Sequence, residues 1–546
     1  GNISYNWNND IGTSFIGSFS FYNLGSIFFW ISLLVKPAWF PYLIGPILIL
    51  KYVIAALLAY IFLKRYVKNK DYAIIGALIY SFSGFQLTNM LFNHFHDVVA
   101  LFPMLLIGLD KAMLDNKKGL FALAVALSAM TNYFFFVGEV VFLILYFVVK
   151  LITKEYKLTL KKFIQLAFES IIGVGISAII FIPSALFVLG NPRVGGSWTL
   201  YNAIIPKDYQ LVEILRSLLL GPDIMTSRSF FYEYLFTSAE LYIPFVGIIL
   251  FASYMWKKPK NWISVLLITS FIFMTIPILN SSFTGFSTSY YGRWFYMPIL
   301  IMALATAKAL EENIKLEHGY ITAGVLLGAF LYILLAFSLN EKQIIMHESY
   351  IIINSIIVLF GYIGLYLTYK FKNNKKLFTN LLLIGVMITT LLNGFVFFYK
   401  YNKLSDSIYY NNYYLNNELK LDYIKDGERT DSNNSAPENL GYLLNVPNLK
   451  NFNTTISSKS FEFYNSVGID RVVKTIIGEK EPKLRDFLST KYIITSKNEN
   501  LNLELIETND KYNVYENNNY ISLGIPYKYY ISKDDYNKLS YETRKD

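Results

Sequence analysis

The chain has 546 residues, of which 54% are hydrophobic, 17% aromatic and only 16% charged. Soluble globular domains carry about 25% charged residues, so the composition excludes an ordinary soluble protein and favours a helical membrane protein. The absence of cysteine excludes a disulfide framework, a thiolate zinc site and a cysteine nucleophile. The net charge is +10, but the basic residues lie in short loops between apolar runs, so we expect no nucleic-acid partner.

Residues 1–39 precede the first long apolar run. They lack the basic start and apolar core of a signal peptide. We predict an extracytoplasmic loop that ends in an interfacial aromatic helix near 21–35. Within this loop Asp10 is a candidate acid, and the alternative is a turn-forming aspartate in the segment NWNND.

Residues 40–400 contain repeated apolar runs, which predict an all-α polytopic membrane bundle of about twelve transmembrane helices. Alternate short loops carry most of the lysine and arginine. The positive-inside rule places those loops in the cytoplasm, and both chain ends and the loop 190–240 outside the cell membrane. The predicted spans are 40–63, 72–92, 97–110, 119–133, 134–150, 163–188, 241–256, 262–279, 293–310, 319–338, 349–369 and 378–399.

Two stretches of this bundle carry ionisable candidate site residues. Lys51 lies in the middle of the first span, too far from either end to reach water, so we expect it to pair with a carboxylate or a phosphate. His94, His96 and Asp97 stand between two apolar runs at the predicted outer face. Ionisable groups at such a position cost several kcal/mol unless they are hydrated or paired. A functional site and a hydrated loop are both consistent with this stretch.

The loop 190–240 is long for a helix connection, and long loops are often functional. Arg193 and Arg216 are its candidate anion contacts, with solvated or headgroup-facing arginines as the alternative. The amphipathic stretch 211–220 predicts a helix on the membrane surface.

Arg293 lies where an outer loop enters a predicted span, among aromatic residues that include Tyr291 and Trp294. Aromatic belts at membrane interfaces are ordinary. An arginine within one is less so, because guanidinium binds phosphate through two parallel hydrogen bonds and stays charged.

Residues 401–546 are polar and rich in asparagine. The runs 491–496, 501–508, 511–516 and 526–532 predict short strands. We therefore expect a partial extracytoplasmic α+β, β-rich domain, which looks incomplete at its end. The whole chain lacks a Walker A motif, a dinucleotide fingerprint, an H-E-x-x-H pair and a hydrolase elbow.

Several segments, taken in order, resemble the bacterial YfhO membrane-protein family, and the resemblance covers nearly the whole chain. They are YNWNNDIGTSFIGSFSFYNLGSIFF, the span around Lys51, YSFSGF, NHFHDVVALFPMLLIGLDK, SAMTNYFFFVG, YYGRWFYM, LRDFLSTKYII and VYENNNYISLGIPYKYY.

The resemblance implies a GT-C-type glycosyltransferase. Such an enzyme takes a sugar from a polyprenyl-phosphate carrier and transfers it, outside the membrane, to a cell-envelope polymer such as lipoteichoic acid. Family members begin with a further transmembrane helix and an acidic residue thought to be catalytic, in a region before Gly1, and they continue past Asp546. The resemblance requires no cofactor.

Transfer from a polyprenyl phosphate needs a carboxylate base and cations for the departing phosphate. The resemblance points to Asp97 as base, with His94 and His96 beside it, and to Arg293 as the phosphate partner. Further candidate substrate contacts are Lys51, Tyr291, Trp294 and Arg193. A divalent ion on His94, His96 and Asp97 is an open alternative. A lipid-linked glycan flippase, a glycan ligase or polymerase, and an envelope scaffold remain alternative functions.

Overall fold

The computed structural model describes residues 4–36, 39–189, 191, 197–207, 209–230, 235–339, 345–404, 419, 421–433, 436–477, 481–524, 526, 528–540 and 543. The contacts divide the chain into two compact units. The helical unit comprises Tyr22–Phe181 and Gly195–Leu404. The mixed unit comprises Gly1–Phe21, Ile182–Val194 and Ser405–Asp546. The predicted division at 39 and 400 is not tested by this grouping and stays a prediction.

Helices dominate the first 404 residues, as the apolar runs predict. In chain order they are α1 (Phe15–Phe19), α2 (Ile27–Ser32), α3 (Phe40–Leu63), α4 (Lys70–Ser81), α5 (Gly84–Thr88), α6 (Phe95–Met113), α7 (Leu120–Thr131), α8 (Tyr133–Ile152), α9 (Leu160–Val188), α10 (Leu200–Ile204), α11 (Gln210–Leu219), α12 (Ile249–Lys257), α13 (Trp262–Thr275), α14 (Pro277–Ser281), α15 (Tyr296–Glu311), α16 (Glu317–Leu339), α17 (Glu348–Tyr369) and α18 (Lys375–Leu404).

Six helices among the described residues, α3, α8, α9, α16, α17 and α18, are long and apolar enough to cross a membrane. A seventh span arises if α13 and the segment that follows it, which are bent by 101°, are counted as one. The chain is therefore a helical protein with several membrane spans. The predicted number of about twelve is not confirmed.

Breaks inside apolar runs explain much of this difference. The predicted span 72–92 is divided because α4 ends at Ser81 and the extended backbone of Ser83 starts the short α5. The predicted span 262–279 bends because Ile276 is extended and Pro277, which lacks an amide hydrogen, begins a new helix. Hydropathy follows composition and does not detect such breaks.

The described strands of the mixed unit are β1 (Tyr5–Asn6), β2 (Thr13–Ser14), β3 (Arg429–Ser432), β4 (Thr490–Ser496), β5 (Glu504–Thr508) and β6 (Tyr512–Glu516). They form a four-stranded sheet in the order β3-β4-β6-β5 and a separate two-stranded ribbon of β1 and β2. β4 pairs parallel with β3 and antiparallel with β6, so that Ile494 lies opposite Val514 in the core. The predicted strands near 491–496, 501–508 and 511–516 are confirmed.

The helices of the mixed unit are short, and they correct one predicted strand. The described part of 526–532 carries no strand and leads directly into the helix Lys533–Lys538. The run is rich in tyrosine, but Tyr529 and Tyr530 are exposed and belong to no strand of the described sheets. The other helices of this unit after residue 404 are Leu440–Leu444, Ser458–Ser466 and Pro482–Phe487.

Asp10, a candidate acid on sequence grounds, is buried inside the mixed unit. Its carboxylate accepts hydrogen bonds from Tyr464 and from Thr475 at 2.5 Å, and lies 3.6 Å from Arg471. Burial raises the pKa of Asp10, and the two hydroxyls and the Arg471 charge act in the opposite direction. These contacts attach the segment around Asp10 to the helix Ser458–Ser466 and to the chain that follows this helix.

Candidate functional site

A buried ion pair joins the middle of α3 to the first turn of α6. Lys51 Nζ lies 2.5 Å from Asp97 Oδ1, and the two side chains are 2% and 0% exposed. Lys51 also donates to the carbonyl oxygen of Asn93 at 2.9 Å and to its side-chain amide oxygen. Of the two partners expected for Lys51, a carboxylate or a phosphate, the structure supplies the carboxylate.

The two histidines flank this pair and have different surroundings. His96 Nδ1 donates to Gln86 Oε1 at 2.6 Å, and its ring stacks on Tyr52 with 5.6 Å between centroids. His96 Nε2 is buried without a hydrogen-bond partner in the part of the chain that the structure describes. His94 is the N-cap residue of α6, and both Lys51 and Arg293 are close enough to act on it electrostatically.

The segment 22–35, which includes α2, covers these groups, and we call it the cover segment. The ring of Tyr22 packs edge-on against His94, with 5.5 Å between centroids. Ser26, the N-cap residue of α2, faces Asp97, and Phe28 lies beneath Lys51 Nζ at 5.7 Å. The other side of the cover segment exposes apolar side chains, including Leu34 at 84%, as an interfacial helix would.

Arg293 is held among aromatic rings. Its guanidinium carbon lies 4.1 Å from the Tyr291 ring centre, and 5.5 and 5.4 Å from the rings of Phe95 and Phe134. Phe95 is the first residue of α6, and Asp97 lies in the same helical turn. Arg293 and the Lys51–Asp97 pair are therefore neighbours within one unit. The predicted candidates His94, His96, Asp97, Lys51, Tyr291 and Arg293 are thus brought together.

Two other candidates are not part of this group. The indole of Trp294 is 1% exposed, stacks on Phe283 at 3.8 Å and donates to Asn280 Oδ1 at 2.8 Å. These contacts give Trp294 a packing role that fixes the start of α15. Arg193 lies outside the described residues.

A buried network of two glutamates and two arginines, which sequence reasoning missed, lies next to the site. Arg216 Nε lies 2.9 Å from Glu213 and its terminal nitrogen 2.9 Å from Glu240, while Arg228 pairs with the other oxygen of Glu213. All four side chains are at most 1% exposed. The predicted anion-binding role of Arg216 is therefore wrong, because internal carboxylates neutralise it. The polar face of α11, expected at the membrane surface, is buried against this network.

The network contacts the segment 237–242. This segment in turn binds the two stretches of chain that lead to His94 and to Arg293. The amide of Gly292 donates to Thr237 O at 2.7 Å, and a Cβ on Gly292 would lie 2.6 Å from the Ala239 backbone. The amide of Gly84, at the start of α5, donates to Tyr242 O at 2.9 Å. The segment 237–242 therefore bonds both to the start of α5, which precedes His94, and to Gly292, which precedes Arg293.

No three His, Asp or Glu side chains converge as metal ligands in the described ranges. The side chains of His96 and Asp97 do not face a common point, because His96 bonds to Gln86 and Asp97 pairs with Lys51. The structure thus gives the divalent-ion alternative no preformed ligand set.

Together, several apolar spans and a cluster of buried ionisable side chains define a polytopic membrane protein with an internal polar site. The chain belongs to the bacterial membrane protein YfhO family, whose model matches residues 1–544. The comparison with curated proteins gave no significant match.

Two solved structures of ArnT from Cupriavidus metallidurans share part of the chain's geometry. The apo structure has a TM-score of 0.44 and 11% identity, covering 86% of this chain and 82% of ArnT. The structure bound to undecaprenyl phosphate has a TM-score of 0.45 and 13% identity, covering 88% and 84%. Both TM-scores are low.

Proposed function

We propose that the protein is a membrane glycosyltransferase. It moves a sugar from a polyprenyl-phosphate donor to a cell-envelope polymer, such as a lipoteichoic acid-like acceptor, on the outer side of the membrane. The family resemblance supports the reaction class. The positive-inside pattern of the loops supports the outward orientation.

The observation that carries the proposal is the buried Lys51–Asp97 pair beside Arg293. Buried charges in a membrane protein are costly, so their retention indicates a function. Glycosyl transfer needs a carboxylate that takes the acceptor proton and a cation that stabilises the departing phosphate. Asp97 is the base in this proposal, Arg293 binds the phosphate, and Lys51 orients the carboxylate and compensates its charge.

In this scheme the cover segment moves before the acceptor reaches Asp97. Asp97 is fully buried, so an acceptor hydroxyl reaches it only after Tyr22 and Ser26 move away from His94 and Asp97. The exposed apolar side of the cover segment allows it to remain at the membrane surface while it moves. His94 and His96 then become available to the substrate, and Nε2 of His96 is an acceptor because Nδ1 holds the ring proton.

The test compares envelope-polymer glycosylation in a deletion strain that carries full-length wild type, Asp97→Asn, Arg293→Ala or Arg293→Lys at matched membrane levels. We expect Asp97→Asn to lower transfer about 100-fold or more, as for loss of a general base. Arg293→Lys should recover only part of the activity, because lysine lacks the two-bond geometry. The lipid-linked donor should accumulate in the inactive strains.

Asp115→Asn is the matched control. Asp115 is exposed and pairs with Arg65 at the other end of α6, so its loss should leave transfer unchanged. Wild-type glycosylation in Asp97→Asn and Arg293→Ala would refute the site. A deletion strain with unchanged donor and polymer would refute the transferase itself.

A further inference from the structure

Glu139 is a buried carboxylate in the first half of α8 that the proposed reaction does not use. It is 1% exposed, and within the part of the chain that the structure describes no cationic side chain pairs with it. A polar group at such a position is costly unless it is hydrogen-bonded. Its two partners are hydroxyls: Ser128 of α7 donates to one oxygen, and Tyr296 of α15 donates to the other at 2.9 Å. Glu139 therefore joins three helices.

Tyr296 carries this contact to the site. It is the first residue of α15 and follows Arg293 closely in the chain. Its ring is fully buried and packs on the rings of Phe85 and Phe102, with 5.5 and 5.4 Å between centroids. In the described ranges the hydrogen-bond partner of its hydroxyl is Glu139. The bond fixes the first turn of α15, and with it the backbone that leads to Arg293.

The same stretch of α8 contacts the chain around Arg293 at a second place. Gly138 precedes Glu139, and a Cβ on Gly138 would lie 2.8 Å from the carbonyl oxygen of Phe283. The ring of Phe283 stacks on Trp294, with 3.8 Å between centroids. Trp294 directly follows Arg293. Two consecutive residues of α8 thus support the segment that carries the arginine.

The rings around the guanidinium of Arg293 come from α8 as well. Its central carbon lies 5.4 Å from the ring centre of Phe134 in α8 and 5.5 Å from that of Phe95 in α6. Asn132 fixes the start of α8, because its side chain accepts from the amides of Phe134 and Phe135 at 3.1 and 3.4 Å. Phe135 then packs edge-on against Phe95 at 4.7 Å. A shift of α8 against α15 would therefore move these rings relative to the guanidinium.

We propose that Glu139 is a positioning residue for Arg293. Its bonds to Ser128 and Tyr296 hold α15 against α7 and α8, and so keep the guanidinium in the orientation that binds phosphate. The inference rests on the proposed function, in which Arg293 binds the phosphate of the donor. Guanidinium recognises phosphate through two parallel hydrogen bonds, a geometry that tolerates little rotation. The role requires the hydrogen bonds of Glu139 and does not require its charge.

The direct test follows the Arg293 guanidinium without any substrate. Phenylglyoxal modifies arginine side chains, and peptide mass spectrometry of the full chain in nanodiscs gives the rate at Arg293. We expect Glu139→Ala and Tyr296→Phe to raise this rate about fivefold, which corresponds to loss of one ordinary hydrogen bond. Glu139→Gln should react as wild type does, because its amide oxygen still accepts from Tyr296 and the Ser128 hydroxyl can accept from its NH2.

Tyr156→Phe is the matched control, because it also removes a buried hydrogen bond from a tyrosine to a carboxylate. Tyr156 is 3% exposed and donates to Asp110 at 2.6 Å. Asp110 lies in the last turn of α6, at the opposite end of this helix from the site. The control should lower the melting temperature about as much as Tyr296→Phe does and leave the rate at Arg293 unchanged. An equal rise of this rate in the control, or unchanged rates in Glu139→Ala and Tyr296→Phe, would overturn the proposal.

Transfer assays separate this inference from the proposed function. We expect Tyr296→Phe to raise the KM for the lipid-linked donor about fivefold and to leave the KM for the acceptor unchanged, while Glu139→Gln keeps the wild-type values. Combined with Arg293→Lys, Tyr296→Phe should cost less than it does alone, because it acts through Arg293.

Equal costs of Tyr296→Phe in both backgrounds, or loss of transfer in Glu139→Gln, would contradict a positioning role. The second result would assign the charge of Glu139 a direct part in the reaction. If the wild type itself shows no transfer, the proposed function fails, and the modification rates at Arg293 alone decide whether Glu139 positions it.

Discussion

At the scale of single residues, the Lys51–Asp97 pair has both a structural and a functional consequence. Removing one partner of a buried ion pair costs about 3–5 kcal/mol, because the other charge stays buried and unpaired. Replacing both by apolar residues of similar volume is often neutral. A single substitution that abolishes activity would therefore not by itself separate chemistry from folding.

We predict that Asp97→Leu alone and Lys51→Met alone lower the detergent melting temperature, and that the double variant recovers most of the loss. Transfer should stay absent in the double variant, because the stable protein lacks its base. The measurement is a double-mutant cycle of melting temperature together with glycosylation. A double variant that is as unstable as the single ones would contradict the direct ion pair, and a double variant with normal transfer would contradict the catalytic role.

At the scale of elements, the charged network of Glu213, Arg216, Arg228 and Glu240 acts through the segment 237–242. This segment accepts hydrogen bonds from Gly292 and Gly84, which lead to Arg293 and to His94. We predict that Arg216→Ala destabilises the protein by about 3 kcal/mol or more and makes the amides of Gly84 and Gly292 exchange faster with deuterium.

Lys315→Ala provides the contrast, since an exposed ion pair contributes about 0–1 kcal/mol and its loss should change neither amide. Peptides that contain Gly84 and Gly292, measured by hydrogen exchange and mass spectrometry, report the two halves of the site separately. Unchanged exchange in both peptides of Arg216→Ala would show that the network does not position the site.

At the scale of the whole molecule, the mixed unit is assembled from distant parts of the sequence. Residues 1–21 contribute Asp10 to the pocket of Tyr464, Thr475 and Arg471. The Asp10 amide also donates to Asn448 O at 3.1 Å. The segment 405–546 alone would leave the hydroxyls of Tyr464 and Thr475 without the carboxylate that accepts from them.

We predict that a soluble fragment of residues 405–546 melts about 10 °C lower than the same fragment linked to residues 1–21 by a flexible linker, because the buried hydroxyls of Tyr464 and Thr475 lose the Asp10 carboxylate as their acceptor. Calorimetry of the two fragments checks this. Asp10→Ala in the linked form should remove much of the difference. Equal melting temperatures for all three would refute the contribution of residues 1–21.

Sequence reasoning anticipated part of the site because of where the charges stand. Lys51, His94, His96, Asp97 and Arg293 are conspicuous in apolar or interfacial surroundings, where an ionisable group needs a partner. The structure confirms that Lys51 pairs with a carboxylate and brings Arg293 near His94. It could not be foreseen that Asp97 is the partner, because Lys51 and Asp97 are 46 positions apart and meet only through helix packing.

The charged network was missed for the opposite reason. Glu213 and Arg216 lie in an amphipathic stretch that looks like a surface helix, and Glu240 and Arg228 lie in a loop. Gly84 and Gly292 are local signals of it, because a Cβ on Gly84 would meet the side chains of Tyr242 and Glu240 and a Cβ on Gly292 would meet the backbone of Ala239. One sequence gives no means of assigning that reason to a glycine.

The sequence by itself determined that the protein is helical, spans a membrane several times and belongs with the YfhO family, because hydropathy and short motifs are local properties of the chain. It also determined where several strands of the polar region lie. The tertiary structure decided which apolar runs are continuous helices, which carboxylate neutralises Lys51, and that Arg216 and Trp294 serve packing. These outcomes depend on which distant side chains share a buried space, where unpaired charges and broken backbone hydrogen bonds are most costly.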